Sequence, residues 1–297
     1  MHSKEVPRIL SIQSHVVCGY VGNKSATFPL QLLGFEVDGI NSVQLSNHTG
    51  YNVVKGQVLN DKDLGDLING LLANNLCDYT HLLTGYVGSP SFLKKVAEVV
   101  QTLKAHNPNL IYVCDPVMGD NGKMYVPEEL KEIYKKEIVP LADIVIPNQF
   151  ELELLTDSKI NTMHDLQNAV KQLHKIGPQT VAVSSAEIGD KLTAIFSKNK
   201  DNKLIKIDIP KIPASFTGTG DLFAALFLAH TYLQNDIKVA IEKTVNSLHS
   251  VLHKTYEYSQ ACQDEECQPA QKIELRLVQS KNYIENPEIR LLAESLT

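Results

Sequence analysis

A glycine-rich segment, TGTGD at 217–221, stands directly before a nearly unbroken apolar run. The run predicts a buried helix, and the start of such a helix presents free backbone N–H groups and the positive end of the helix dipole. Gly218 and Gly220 let a ligand approach the backbone closely, so phosphate suits this position. Asp221 could take a proton from a hydroxyl group that attacks the phosphate. These residue types point to phosphoryl transfer, and the alternative is a glycine turn capped by Asp221.

Asp221 is expected in the first turn of that helix. There the dipole should lower the pKa of the carboxyl group, so that it stays ionised and is only a weak base. Phosphoryl transfer tolerates a weak base, because the acceptor hydroxyl loses its proton late and catalysis is mostly positioning and charge stabilisation.

Polar side chains stand at the ends of several predicted strands. The segments RILSIQS, YTHLLTGY, LIYVCDP, DIVIPN and TVAVSS are short apolar runs rich in β-branched residues, which is typical of buried parallel strands. Open α/β sheets bind ligands at the carboxyl ends of their strands. The polar residues there are Ser14, Thr84, Tyr86, Asp115, Asp120, Asn148, Glu151, Ser184 and Ser185. Together they suit a metal ion, phosphates and a polar small molecule, although any one alone could be a helix cap or turn residue.

Helical patterns alternate with these strands. Apolar residues repeat at helical spacing over 64–72 and 163–173, and Thr162 with Asp165 predicts a capping box before the second helix. This alternation predicts an α/β fold with a doubly wound, mostly parallel sheet and helices on both faces. Without a repeat or linker, residues 1–297 are predicted to form a single domain.

Two segments depart from the alternation. The run KLTAIFSKNKDNKLIKIDIP predicts two antiparallel strands joined at KNKDN, at an edge of the sheet. The segment 35–58 predicts a strand that rises out of the sheet toward a cleft, and we expect a small lid region beside the site.

Charge and composition exclude several classes of partner. The net charge of −6 comes without a block of like charges, so neither nucleic acid nor an anionic membrane is an expected partner. The apolar stretches fall short of the roughly 18 residues that a membrane span needs. The N-terminal MHSKEVPRIL also lacks the apolar core of a signal peptide. Five cysteines without Cys-x-x-Cys spacing predict free thiols and a cytoplasmic location, and the close pair Cys262 and Cys267 is expected in a solvated acidic loop.

Other phosphate-binding motifs do not fit. The segment GYVGNKSAT is similar to a Walker A loop, but Asn23 separates Gly22 from Lys24, which must follow the last glycine in that motif. No G-x-G-x-x-G follows the first strand, and the protein-kinase motifs His-Arg-Asp and Asp-Phe-Gly are missing.

The combination of TGTGD with PNQFE and DPVMGD resembles the ribokinase superfamily of ATP-dependent small-molecule kinases. Within it, six ordered segments resemble the pyridoxal kinases: SIQSHVVCGYVGN, NSVQLSNHTGY, LTGY, YVCDPVMGD, PNQFELELL and GTGDLFAALFLAH. The resemblance extends to the C-terminal VQSKNYIENPEIR and implies a ribokinase-like fold. It implies phosphorylation of the 5′-hydroxymethyl group of pyridoxal, pyridoxine or pyridoxamine in vitamin B6 salvage.

The resemblance also assigns roles to residues. Asp221 would be the catalytic base. The substrate site would comprise Ser14, Val21, Val43, His48, Thr49, Tyr86, Gly218, Gly220 and Asp221. The nucleotide site would comprise Asp115, Tyr125, Asn148, Glu151, Ser184, Ser185, Ile212, Pro213, Ala214, Phe216, Gly218, Thr219 and Gly220. Asp115, Asp120 and Glu151 would hold Mg²⁺ or another divalent cation such as Zn²⁺ with ATP. A monovalent cation, K⁺ or Na⁺, and a homodimeric state are further expectations of the resemblance.

Two positions depart from the pattern of animal pyridoxal kinases. Ile146 stands where a threonine is common, which removes an oxygen ligand for a monovalent cation, and 87–89 lack an Arg-Asp pair that can cover the substrate. Two alternatives remain open at this stage. One is a kinase of the same superfamily that acts on a hydroxymethylpyrimidine, and the other is a non-catalytic vitamer-binding regulatory protein.

Overall fold

The computed structural model describes residues 6–199, 203–262 and 268–296. Ten strands in this part of the chain form one sheet in the order β12-β11-β10-β9-β8-β5-β4-β1-β2-β3. Their bounds are β1 Arg8–Val16, β2 Glu36–Leu45, β3 Gly56–Val58, β4 His81–Thr84, β5 Ile111–Cys114, β8 Ile144–Val145, β9 Thr180–Ile188, β10 Lys191–Lys198, β11 Lys203–Ile209 and β12 Glu294–Leu296. A separate hairpin contains β6 Gly119–Asp120 and β7 Lys123–Met124.

The centre of the sheet is parallel. The pairs β9–β8, β8–β5, β5–β4, β4–β1 and β1–β2 all run in the same direction. The predicted strands RILSIQS, YTHLLTGY, LIYVCDP, DIVIPN and TVAVSS correspond to β1, β4, β5, β8 and β9 and are confirmed. Their carboxyl ends lie at one edge of the parallel sheet, which places the polar residues after them near one another.

The antiparallel strands lie at both sides of this centre. β10 pairs antiparallel with β9 and β11, as predicted, but β12 pairs with β11 and covers the expected edge. The turn KNKDN falls partly outside the described residues. The prediction for 35–58 was wrong in one respect, because β2 stays in the sheet beside β1 along its whole length before β3 pairs back onto it.

Helices cover both faces of the sheet, as predicted. The bounds are α1 Asn23–Leu32, α2 Asp61–Ala73, α3 Pro90–His106, α4 Glu129–Ile133, α5 Gln149–Thr156, α6 Met163–Ile176, α7 Thr219–Leu233, α8 Ile237–Ala261, α9 Pro269–Lys272 and α10 Lys281–Glu285. Apolar side chains of α2 to α6 pack on one face, and those of α1, α7 and α8 pack on the other. The predicted capping box before α6 is present. Within α2, Leu64 and Ile68 are buried, whereas Leu67 faces solvent.

Helix α7 is apolar all round because protein surrounds it. The residues from Leu222 to His230 are all buried. The helix packs between α1 and α8, so the sequence needs no polar face over these turns. In the part of the chain that the structure describes, no helix combines the length and apolar character of a membrane span. Burial of α7 holds its N-terminus firmly at the edge where the strand ends lie.

Candidate active site

The N-terminus of α7 lies against the loop that joins β1 to α1. Gly218 is the residue before the helix and adopts a left-handed conformation, with φ of 84°. A Cβ atom at this position would lie 2.1 Å from the carbonyl oxygen of Tyr20. Only glycine fits such a contact and such a φ without strain. The TGTGD segment therefore brings the β1–α1 loop into contact with the start of α7.

The carboxylate of Asp221 faces the same loop. Its Oδ2 accepts a hydrogen bond of 2.7 Å from the backbone N–H of Gly22. The N-cap residue of α7 is Gly218, which has no side chain, and the hydrogen bond to the Asp221 carboxylate comes from the β1–α1 loop, outside the helix. The sequence did not point to Gly22 itself, although the GYVGN segment that contains it carries part of the family resemblance.

The predicted direction of the pKa shift of Asp221 was wrong. Burial raises the pKa of this carboxyl group above its ordinary value, and the hydrogen bond from Gly22 offsets only part of the effect. The physical reason is that loss of water disfavours the charged form more than the hydrogen bond stabilises it. A raised pKa makes Asp221 a stronger base than a solvent-exposed carboxylate.

Two of the predicted substrate-site residues lie in β1 and in the β1–α1 loop. Ser14 lies near the end of β1 and is buried, and Val21 is half-buried beside Gly22. The ammonium group of Lys24 donates to the carbonyl of Val17 and lies 5.5 Å from the centre of the Tyr20 ring. Lys24 thus braces the loop, which agrees with the rejection of a Walker A motif.

Asp115 lies on the other side of the α7 start. Its Oδ2 would be 3.6 Å from a Cβ atom placed on Gly220, and its residue exposure is 5%. Burial raises the pKa of Asp115 well above its ordinary value, and the negative charges of Glu151 and Asp221 raise it further. The structure therefore brings these carboxylates into one electrostatic cluster at the helix start.

Asn148 and Glu151 form a capping box at the start of α5. The backbone N–H of Asn148 donates to Oε2 of Glu151 at 2.9 Å, and that of Met118 donates to Oε1 at 3.0 Å. The Asn148 amide donates to the carbonyl of Gly119 at 2.8 Å. The PNQFE segment is thereby fixed to the loop after β5. Burial still raises the pKa of Glu151, in spite of the backbone donors.

The β6–β7 hairpin carries Asp120 and leads to Tyr125. Asp120 is exposed, and its carboxylate accepts hydrogen bonds from Asn121. Its charge contributes to the raised pKa values of Glu151 and Tyr125, which places it beside them. Tyr125 is 59% exposed and does not cover the site. The hairpin is largely exposed, and the expected lid stays a prediction.

Residues of the predicted substrate pocket come from three segments. Val43 and His48 are each 5% exposed, whereas Thr49 faces solvent. The hydroxyl group of Ser42 donates to the carbonyl of Tyr86 at 2.8 Å, which ties β2 to the segment after β4. Burial raises the pKa of the half-buried Tyr86 hydroxyl group.

The predicted nucleotide residues lie around the end of β9 and before α7. Ser184 and Ser185 are half-buried, and the N–H of Ser184 donates to the carbonyl of Pro147 at 3.0 Å. In the segment 212–216, Phe216 packs against the apolar cluster of α7 and the C-terminal region. Pro213 is exposed, while Ile212 and Ala214 are half-buried. Within the described residues no hydrogen bond joins this segment directly to Ser184 or Ser185.

The donor set suits a hard divalent cation. Carboxylate oxygens of Asp115, Asp120 and Glu151 are the ligands that Mg²⁺ prefers. A cation would offset the burial and the mutual repulsion that raise the pKa values of Asp115 and Glu151. Within residues 6–199, 203–262 and 268–296, no three His, Cys, Asp or Glu side chains converge closely enough to bind an ion alone. Mg²⁺ usually keeps waters and substrate phosphates as ligands. Carboxylates that leave coordination positions for such ligands therefore fit Mg²⁺.

Comparison with known proteins gives consistent matches. Residues 48–264 match the family model described as phosphomethylpyrimidine kinase. The chain is 53% identical over 294 residues to the pyridoxal kinase of Arabidopsis thaliana, with 97% of this chain and 94% of that protein covered. It is 49% identical over 311 residues to the human pyridoxal kinase, covering 99% and 100% of the two chains. The solved pyridoxal kinase from Leishmania donovani in complex with ADP and pyridoxamine matches with a TM-score of 0.90 at 33% identity, over 98% of this chain and 99% of that one.

Proposed function

The chain belongs to the pyridoxal kinase family, and we propose that Asp221 is the base of its reaction. The enzyme transfers the γ-phosphoryl group of ATP to the 5′-hydroxymethyl group of pyridoxal, pyridoxine or pyridoxamine in vitamin B6 salvage. The observation that carries the proposal is the Asp221 carboxylate, held by Gly22 at the start of α7 beside the Asp115 and Glu151 carboxylates.

We assign the proton transfer and the stabilisation of charge to different groups of the same helix start. Asp221 takes the proton of the 5′-hydroxyl group, and its raised pKa favours that step. The backbone N–H groups of Gly218, Thr219 and Gly220 stabilise the negative charge on the transferred phosphoryl group. Since the transition state is loose, most of the rate enhancement comes from alignment and charge stabilisation.

Asp115, Asp120 and Glu151 are proposed to hold Mg²⁺, or another divalent cation such as Zn²⁺, directly or through water. When bound, the cation neutralises charge on the phosphates of ATP. Glu151 is fixed by the backbone of Met118 and Asn148, so it acts from a rigid position. Asn148 itself, with Asp115, lines the side of the site that takes the triphosphate.

The two ligands are proposed to enter from opposite sides of α7. Ser14, Val21, Val43, His48, Thr49 and Tyr86 bind the vitamer ring, with polar groups for its heteroatoms and apolar groups for its faces. Ser184, Ser185, Ile212, Pro213, Ala214 and Phe216 bind the nucleotide, and Tyr125 closes over it. A monovalent cation, K⁺ or Na⁺, is a further proposed ligand of the phosphate side.

The chain is further proposed to act as a single domain, as a homodimer and in the cytoplasm. A single ten-stranded sheet supports one domain. The four free cysteines among the described residues, Cys18, Cys77, Cys114 and Cys262, support a reducing compartment, and Cys267 lies outside those residues.

A pyrimidine kinase is the second candidate, because the matching family model carries that description. A substrate panel separates the two. Purified protein with Mg·ATP should phosphorylate the three vitamers with a far higher kcat/KM than a hydroxymethylpyrimidine. Preference for the pyrimidine would favour the second candidate. Binding of ATP and vitamer without turnover would instead favour a regulatory protein.

A further inference from the structure

A buried carboxylate from the C-terminal region reaches the site. Glu274 lies just after α9, and its residue exposure is 9%. Its Oε2 accepts a hydrogen bond of 3.1 Å from the N–H of Tyr20, and its Oε1 accepts one of 3.1 Å from the hydroxyl group of Tyr51. The Nε2 atom of His48 lies 3.2 Å from the same Oε1. One side chain thus touches both segments that line the proposed vitamer pocket.

The β1–α1 loop is shaped to admit this carboxylate. Gly19 has φ of 90°, and a Cβ atom there would lie 2.3 Å from Oε1 of Glu274. Any side chain at position 19 would therefore displace Glu274 or the loop. The close approach places the carboxylate directly under the backbone that continues through Tyr20 and Val21 to Gly22.

Glu274 is itself fixed from the other side. The next apolar residues, Leu275 and Leu277, are fully buried against Leu222 and Leu226 of α7. The carboxylate is thereby held at a constant position relative to the helix that carries Asp221. Since Gly22 donates to Asp221 from the far end of the same loop, Glu274 and Asp221 hold the loop at two points.

Glu274 also lies beside the ring of His48, whose tautomer is set by Gly50. The N–H of Gly50 donates to Nδ1 of His48 at 3.0 Å, so Nδ1 is an acceptor and Nε2 carries the proton. Nε2 lies 3.2 Å from the Glu274 carboxylate but forms no hydrogen bond with it, so this contact is one of electrostatic proximity. The His48 and Tyr51 rings pack edge to face at 4.8 Å between centres, so the two side chains that contact Glu274 from the 48–51 turn also contact each other.

We propose that Glu274 is a positioning residue for the vitamer. It holds the β1–α1 loop and the 48–51 turn in the arrangement that the vitamer ring requires and keeps Gly22 aligned with Asp221. The proposal rests on the proposed function for the identity of the ligand. The contacts of Glu274 lie on the vitamer side of the site, so binding of ATP should be nearly independent of Glu274.

Steady-state kinetics of Glu274→Ala and Glu274→Gln test the proposal. We expect Glu274→Ala to raise the KM for pyridoxal about tenfold or more and to lower kcat several-fold, because the Tyr20 N–H and the Tyr51 hydroxyl group, both half-buried, lose their acceptor. The KM for ATP should change by less than about twofold. Glu274→Gln keeps one oxygen for Tyr20 but turns an NH₂ group toward His48 or Tyr51, so its effect should be intermediate. The matched control is Glu288→Gln, an exposed glutamate of the same region that pairs with Arg290.

Different outcomes test the proposed function and the positioning role of Glu274. If the native enzyme phosphorylates no vitamer, the proposed function fails, and the effect of Glu274 is then read from the equilibrium Kd of pyridoxal alone. An unchanged Kd or KM for pyridoxal in folded Glu274→Ala would overturn the positioning role. A lower kcat with both KM values unchanged would also overturn it, because that result indicates only a smaller active fraction. Should Glu274→Ala fail to fold, Glu274→Gln and Tyr51→Phe are judged by the same criteria.

Discussion

The backbone N–H of Gly22 donates a 2.7 Å hydrogen bond to Oδ2 of Asp221. This contact joins the loop after the first strand to the start of α7, across 199 positions of sequence. It turns the carboxylate away from its own helix and toward the segment that carries Val21. A catalytic base requires such an orientation, whereas a helix cap does not.

The contact of Gly218 with Tyr20 predicts a strong effect of a single methyl group. Gly218→Ala places a Cβ atom 2.1 Å from the Tyr20 carbonyl oxygen, so the loop must move. A displacement near 1 Å can cost about 10²-fold in rate, and we expect a loss of kcat of that order. Gly189→Ala is the matched control, because Gly189 also has positive φ, at 61°, but has no atom within 4 Å of the added Cβ. If both variants keep native kcat, the close fit at Gly218 does not matter for catalysis.

Because the side chain of Ile146 is apolar, we expect K⁺ to activate the enzyme only weakly. That side chain is 2% exposed and packs in the apolar cluster with Val113 and Ala182, so it cannot offer an oxygen to an ion. Ile146→Thr should reach half-activation at about one-third of the K⁺ concentration or less, a change of about 0.7 kcal/mol. Val145→Thr, whose side chain packs on the opposite face of the sheet, should leave the titration unchanged. Identical curves for the native protein and Ile146→Thr would show that this position is irrelevant to cation binding.

Two buried histidines predict loss of stability in mild acid. Burial lowers the pKa values of His81 and His230 to about 4, from an ordinary value of 6.5. Between those values the unfolded chain binds protons that the folded chain does not, so the free energy of unfolding falls as the pH falls from about 6.5 toward 4.

His230→Leu tests this origin of the acid sensitivity. Neither ring nitrogen of His230 has a hydrogen-bond partner in the described part of the chain, so leucine removes the titrating group without breaking a hydrogen bond. Urea unfolding at pH 7 and pH 5 should show a loss of stability about 1–2 kcal/mol smaller in the variant. The exposed His164, replaced by glutamine, serves as control. An equal loss in native protein and His230→Leu would contradict the assignment.

The parallel centre of the sheet could be predicted because its strands are short β-branched runs buried on both faces. β12 could not be predicted, since it is three residues long and pairs with a strand that is distant in sequence. β2 was misjudged as leaving the sheet, because its sequence EVDGINSVQL lacks the continuous apolar run of a central strand and its first four residues are not buried.

Residues of the candidate site could be predicted only where a single segment of the sequence carries the whole signal. TGTGD, PNQFE and the strand ends each signal a function through local residue types. The Gly22–Asp221 hydrogen bond and the approach of Glu274 depend on distant segments that meet only in the fold. The predicted direction of the pKa shift of Asp221 was wrong, because desolvation depends on the folded environment, whereas the helix dipole can be inferred from sequence.

Asp221→Asn tests the central claim most directly. Asparagine keeps the size of the side chain and an oxygen for the N–H of Gly22, but it cannot accept the proton of the 5′-hydroxyl group. Removal of a general base typically costs about 10²–10⁴-fold in rate, and we expect a loss of kcat in that range. The dissociation constant of pyridoxal should change by no more than about threefold. ATP should bind as tightly or more tightly, because a negative charge near its phosphates is lost.

The decisive measurement is kcat of Asp221→Asn, taken with both dissociation constants and the melting temperature on one preparation. The account predicts a folded protein that binds ATP and pyridoxal and forms pyridoxal 5′-phosphate at least about 10²-fold more slowly than the native enzyme. A folded variant with near-native kcat would contradict the account and would remove Asp221 from the mechanism.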